Sequence, residues 1–221
     1  MKNIVSILDE KIAGCHMLDH PFYQRWSNGN LTLGELQEYA REYYHYAVAF
    51  PTFLSSIHAT SSDIRVRQEI LENMIEEERG PENHPELWLR FCESLALDRE
   101  AVQNSSPSAE TAAVIKTIRD ACAQNTHAGV AALYAYESQI PRVSGSKIDG
   151  LAAHYGITDE RAISFFRVHM EADVEHSATT GRLVSQLCDT PEKGLEAERA
   201  AGSMLQAMYR FLDQIPAVAA A

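Results

Sequence analysis

The chain lacks a signal-peptide h-region: its N-terminus, MKNIVSILDEKIAG, has no continuous apolar stretch, and no run approaches transmembrane length. Both absences point to a cytoplasmic protein with no membrane partner. The four cysteines, Cys15, Cys92, Cys122 and Cys188, are scattered and form no C-x-x-C. They read as reduced, mostly buried thiols, not as a disulfide frame or a zinc knot. Basic residues are scarce. The 19 Lys and Arg stand against 31 Asp and Glu, and a formal net charge of -12 repels phosphate backbones, so nucleic acid is a poor partner and none is expected. Alternating β-branched runs joined by hairpin turns are missing, so a sheet has no candidate strands. There is no repeat or low-complexity tract except the terminal AVAAA, which places a frayed tail at 216–221.

What is present is helical. The length of 221 residues and the 45% apolar fraction suit one domain, 1–215, with a sizeable core. Helical patterning covers roughly 2–17, 21–28, 33–60, 63–79, 83–97, 109–125, 127–140, 142–155, 159–188 and 192–213. Thr32 and Glu35 have capping-box spacing, Thr190 precedes Pro191 at a helix start, and Asn28-Gly29 ends a short helix. Pro51 is expected to kink the third segment, and Gly80-Pro81 to interrupt the chain after Glu78. The fold class is all-α.

Ionisable residues belong on the outer face of such a domain unless they are paired or hold metal. The segment FFRVHMEADVEH departs from that rule. At 100° per residue, Phe165, Phe166, His169, Ala172, Asp173 and His176 share one arc, with Arg167, Glu171 and Glu175 on the other side. Imidazoles and a carboxylate at i, i+4 and i+7 on an apolar face suit Fe, Mn or Zn, whereas a lone inward histidine would be ordinary core. Glu137 lies on the face of Val130, Leu133 and Tyr134; it is either a ligand or the partner of a basic residue such as Arg142. Val66, Ile70 and Met74 lead by helical spacing to Glu77, but Glu78 has a competing claim in the run EEE. His84 follows beyond a Gly-Pro break, across which helical geometry proves no convergence. A ferritin-like site needs two Glu-x-x-His pairs on different helices, and the chain has one, Glu42 to His45, beside Asp173-x-x-His176. A different helical scaffold is therefore expected.

The stretch HMLDHPFYQRWSNGNLTLGELQEYAREYYHYAVAFP resembles the opening of the haem-oxygenase-like superfamily, which includes thiaminase-type and pyrroloquinoline-quinone-synthase-type proteins. EEERGPENHPELW, GVAALYAYESQIPR and HMEADVEH resemble the CADD-like family more closely, over about Ile12 to Leu212. The resemblance implies a haem-oxygenase-like bundle without haem, holding dinuclear iron or mixed iron–manganese on Glu77, His84, Glu137, His169, Asp173 and His176. It resolves the choice between Glu77 and Glu78, and supplies the convergence of His84. It also implies oxidoreductase activity: para-aminobenzoate formation for folate biosynthesis, with dioxygen and an external reductant, in which the protein consumes its own tyrosine.

The position matching the consumed residue is Tyr23, and that matching the amino donor is Lys147. Tyr39 and Tyr136 match tyrosines near the metals. From the residues themselves, Tyr39, Tyr43, Tyr46 and Phe50 form an ordinary aromatic stripe and Lys147 reads as a solvated lysine. Tyrosine already carries a carbon chain para to oxygen, so its conversion requires oxidative C–C cleavage and replacement of oxygen by nitrogen. The expected route oxidises Tyr23 to a phenoxyl radical, with Tyr136 or Tyr39 relaying the electron and proton. The alternatives are a dimetal oxygenase for a diffusible small molecule and an interaction module with a structural metal. A homodimer is left open.

Overall fold

Caps written into the sequence set the helix boundaries. The computed structural model describes residues 3–218, and among them are eleven α-helices, one 3₁₀ turn (Met17–Asp19) and no strand. The helices are α1 (Ile4–Ala13), α2 (Pro21–Ser27), α3 (Leu33–Thr60), α4 (Ile64–Glu78), α5 (His84–Ser94), α6 (Arg99–Gln103), α7 (Ala109–Gln124), α8 (Thr126–Glu137), α9 (Ile140–His154), α10 (Glu160–Leu187) and α11 (Pro191–Val218). Thr32 and Glu35 form the reciprocal capping box of α3. Asn83 caps α5 and also donates from Nδ2 to the Gly80 carbonyl at 2.9 Å. No described helix is long and apolar enough to cross a membrane.

Several boundaries differ from the sequence reading. The first helix stops at Ala13 because Gly14 caps it, and α6 and the 3₁₀ turn are too short to carry a periodic signal. Helix α9 begins at Ile140 because Pro141 occupies its first turn. Helix α3, by contrast, keeps the expected bounds and runs through Pro51. Helix α11 extends to Val218, into the expected tail, whose last residues, 219–221, lie outside the described ones.

One core cluster joins the helices. Helix α8 is its central post: every residue from Ala128 to Glu137 is buried, and it packs against α3, α7, α10 and α11. Small residues permit this close approach; a Cβ on Gly129 would lie 2.5 Å from Ile57. Helices α3, α4, α5 and α10 pack on one another, α3 and α10 also on α8, and α2 lies on α9. Trp26 of α2 fixes that last contact, donating from Nε1 to the Lys147 carbonyl at 3.2 Å and covering Gly150.

A Gly150→Ala substitution would put a Cβ 2.7 Å from the Trp26 ring, and 3.3 Å from its backbone oxygen. The expected cost is about 1–3 kcal/mol, read as a fall of roughly 2–12 °C in the melting temperature. An unchanged melting temperature would show that α2 can shift freely on α9.

Candidate metal centre

Each inward acid or imidazole arrives from a helix whose apolar face is already committed to the core. Two groups result. Glu77 of α4, His84 of α5 and His169 of α10 form one; Glu137 of α8 with Asp173 and His176 of α10 forms the other. Within each group the three nearest ligand atoms lie within 4.8 Å of one another. The two groups adjoin, since Glu77, His169 and Asp173 line the same cavity.

The Gly-Pro break produces the convergence that spacing left undecided. Helix α4 ends at Glu78, Gly80 takes a φ of 84°, and α5 starts at His84. The chain thus doubles back between Glu77 and His84, and His84 Nδ1 comes 2.7 Å from Glu77 Oε2. Glu77 is buried and Glu78 exposed. His169 donates from Nδ1 to the Phe165 carbonyl at 2.8 Å, because a carbonyl can only accept, and this leaves Nε2 as a free lone pair. Its ring stacks on Phe165 with centroids 4.0 Å apart.

Glu137 has no arginine partner. It accepts from Asn73 Nδ2 at 2.9 Å and from Thr180 Oγ1 at 3.3 Å, while Arg142 lies in an outer cleft beside α2 and α9. Glu42 and His45 serve a loop instead: Glu42 accepts from the Ser108 backbone, and His45 meets Ser105.

The buried donor set fits divalent metal on its own geometry. Among the described residues, His84 Nδ1, Asp173 Oδ2 and Asn73 Oδ1 are fully buried without a hydrogen-bond partner; the close contact between His84 and Glu77 lacks hydrogen-bond geometry. Buried polar atoms without partners call for an ion or water. Mixed imidazole and carboxylate donors suit iron and manganese. Electrostatics agree. Burial pushes the carboxyls of Glu137 and Asp173 up, with like charge reinforcing it, and pulls His169 well down, helped by His84. Burial opposes protonation of His176 too, but Asp173, Glu137 and Glu76 push it up to about 9.

The four residues assigned to chemistry by resemblance also come together. Lys147 Nζ donates to Tyr39 Oη at 2.7 Å, and the Tyr39 and Tyr23 hydroxyls are 3.4 Å apart. Tyr136 shares a short hydroxyl contact with Tyr43. The expectation of a solvated Lys147 is wrong: the residue is 4% exposed, since α2 covers α9 there. Its amine sits 5.1–5.9 Å from the ring centroids of Tyr23, Tyr39, Tyr43, Trp88 and Phe166. Burial lowers its pKa to about 7. Sequence reasoning took Tyr43 only as part of an aromatic stripe, yet it joins Tyr39 to Tyr136 and lines the cavity beside Glu77, His169 and Asp173. Its signal was the i+4 spacing from Tyr39. Asn73 and Thr180, the supports of Glu137, carried none.

Metal uptake is expected to release protons, because burial raises the carboxyls of Glu137 and Asp173 and the neighbouring carboxylates raise His176. Affinity for Fe(II) or Mn(II) should rise between about pH 6 and pH 8. Calorimetry in buffers of different ionisation enthalpy reads this; a buffer-independent heat would contradict it.

The family model described as iron-containing redox enzyme matches residues 37–209. A protein of Nitrosomonas europaea named 4-aminobenzoate synthase is 40% identical over 218 residues, covering 94% of this chain and 89% of its own. One of the same name from Chlamydia trachomatis is 40% identical over 213 residues, covering 96% of this chain and 91% of its own. The crystal structure of a CADD-like protein from Nostoc punctiforme superposes with a TM-score of 0.77 at 19% identity, over 99% of this chain and 97% of that one. The fold, the buried donor set and these matches agree: the chain belongs to the iron-containing redox enzyme family with a haem-oxygenase-like fold.

Proposed function

We propose that this protein makes 4-aminobenzoate from its own Tyr23, with Lys147 as nitrogen donor, dioxygen as oxidant and an external reductant. The observation that carries the reading is the buried Lys147 amine, bonded to Tyr39 and 5.4 Å from the Tyr23 ring centroid. The names of the relatives in Nitrosomonas and Chlamydia support the product.

Glu77, His84 and His169 would hold one ion and Glu137, Asp173 and His176 the other, as di-iron or iron with manganese. Bound there, the reduced ions supply the means of activating dioxygen. The cavity beside them is lined by Tyr43, Tyr46, Ala47, Phe50, Glu77, Tyr136, Phe165, His169 and Asp173, and leaves about 10 Å³ for the centre of a water-sized molecule. That is room for about one water or a diatomic gas. An aromatic or fatty substrate does not fit, which favours a substrate supplied by the protein itself.

The tyrosines form a continuous path. Tyr23 meets Tyr39 through their hydroxyls, the Tyr39 and Tyr43 ring centroids are 5.5 Å apart, and Tyr43 contacts Tyr136. Burial raises the pKa of Tyr23, Tyr39, Tyr43 and Tyr136, so each phenol keeps its proton until it is oxidised. Loss of an electron from Tyr23 therefore requires a path for its proton, and the Tyr39 hydroxyl, between Tyr23 and the Lys147 amine, can take it while passing its own proton to the neutral amine. With a pKa near 7, Lys147 holds a large fraction of neutral amine at neutral pH, and only the neutral form has the lone pair that a C–N bond requires.

Product should not exceed one equivalent per chain. Tyr23→Phe should abolish it while leaving the metal content unchanged. Continued turnover on a free substrate, or product from the Tyr23→Phe protein, would defeat the reading. Tyr43→Phe should slow single-turnover formation on the order of 10²-fold by removing a proton carrier, with full metal content; a wild-type rate would remove Tyr43 from the path.

A further inference from the structure

A second cation-binding surface adjoins the buried donors. Helices α4 and α10 leave between them an open cleft of about 350 Å³, with Glu69, Glu72, Asn73 and Glu76 on one wall and Glu175 and His176 on the other. Glu69, Glu72 and Glu175 are exposed and have no basic partner among the described residues. Arg65 pairs with Asp63 and Arg182 bonds Thr179, both on an adjoining cleft. Four carboxylates around one opening create a negative potential that concentrates divalent cations.

Two residues connect this cleft to the interior. His176 turns Nε2 toward Glu76 at 3.1 Å and Nδ1 toward Asp173 at 3.3 Å, so one imidazole separates a half-exposed carboxylate from a buried one. Asn73, 6% exposed, lines the cleft and donates from Nδ2 to Glu137. Its Oδ1, on the other side of the planar amide, is buried without a partner. An unpartnered carbonyl oxygen next to carboxylates is the donor a hard divalent cation takes when it exchanges water for protein oxygen.

We propose that the α4–α10 cleft is the entrance for divalent metal, with Glu76 and Asn73 Oδ1 as the transient oxygen site from which an ion passes by His176 to Asp173 and Glu137. The inference rests on the reading that the two buried groups hold metal. It assigns Glu76 a role in loading and none in the finished centre. The acidic rim collects hydrated cations, Glu76 and Asn73 replace part of the water shell, and the stronger buried set takes the ion. Binding of a cation to Glu76 removes that carboxylate's hold on His176 Nε2 and so frees the ring to turn.

Stopped-flow absorbance after mixing metal-free protein with Co(II) tests this, with final metal content measured by elemental analysis. Glu76→Gln should slow uptake about tenfold or more, while reaching the wild-type final content. Glu76→Asp should retain much of the rate. Glu110→Gln, a charge removal on α7, should match wild type. Melting curves check that each variant is folded. Uptake by Glu76→Gln at the wild-type rate would overturn the entrance alone. A lower final content in that variant would also overturn it, by making Glu76 a ligand of the centre. A folded wild type that takes up no Co(II) would overturn this inference and the metal-centre reading together.

Discussion

Burying three carboxylates and three imidazoles inside one helical bundle constrains everything else in the molecule. Desolvating an ion costs several kcal/mol even after relaxation, and Glu77, Glu137 and Asp173 are each at most 4% exposed. Asn73, Thr180 and the Phe165 carbonyl each satisfy one atom of the set. Among the described residues they leave Asp173 Oδ2 without a hydrogen-bond partner, and His84 Nδ1 with only its misaligned contact to Glu77. Two divalent cations would offset the remaining cost, and the scaffold is arranged for it. Gly129 of α8 admits Ile57 of α3, Gly181 of α10 lies close against the Tyr134 ring of α8, and Gly80 lets α4 and α5 fold back on each other.

A second costly burial lies beside the first. Lys147 sits among aromatic rings with Tyr39 as its hydrogen-bond partner, where neutral amine competes with ammonium. Tyr43 belongs to both regions: its ring is 5.3 Å from the Lys147 amine, and it forms part of the cavity wall beside Glu77 and Asp173. Tyr43 thus links the phenols and the amine to the cavity beside the metal donors. The proposed entrance for cations lies between α4 and α10, where the surface is acidic.

The sequence revealed those parts of this arrangement that a single helix face can express. His169, Asp173 and His176 were legible because α10 is long and its apolar arc is well defined. Glu137 was legible as an inward carboxylate, though not as a ligand, because its partners Asn73 and Thr180 lie on other helices. Glu77 and His84 depended on the resemblance, since the angle of a Gly-Pro turn cannot be read from periodicity. Lys147 was misread from its own surroundings, because its burial comes from α2, more than a hundred residues away in sequence. Tyr43 was hidden for the opposite reason: it obeyed the aromatic pattern so well that only its contacts distinguish it. The short α6 and the exact ends of α1 and α9 were set by caps and tight turns, local features weaker than the hydrophobic repeat.

The central claim is that the ring carbon of the product comes from Tyr23. Protein grown with ring-labelled tyrosine, loaded with metal without oxygen, and then given reductant and oxygen in unlabelled buffer tests it by mass spectrometry. The account predicts labelled 4-aminobenzoate and a matching loss of mass at Tyr23. Oxygen consumed with Tyr23 intact and no labelled product would contradict it, and would assign the same metal centre to a substrate from outside the chain.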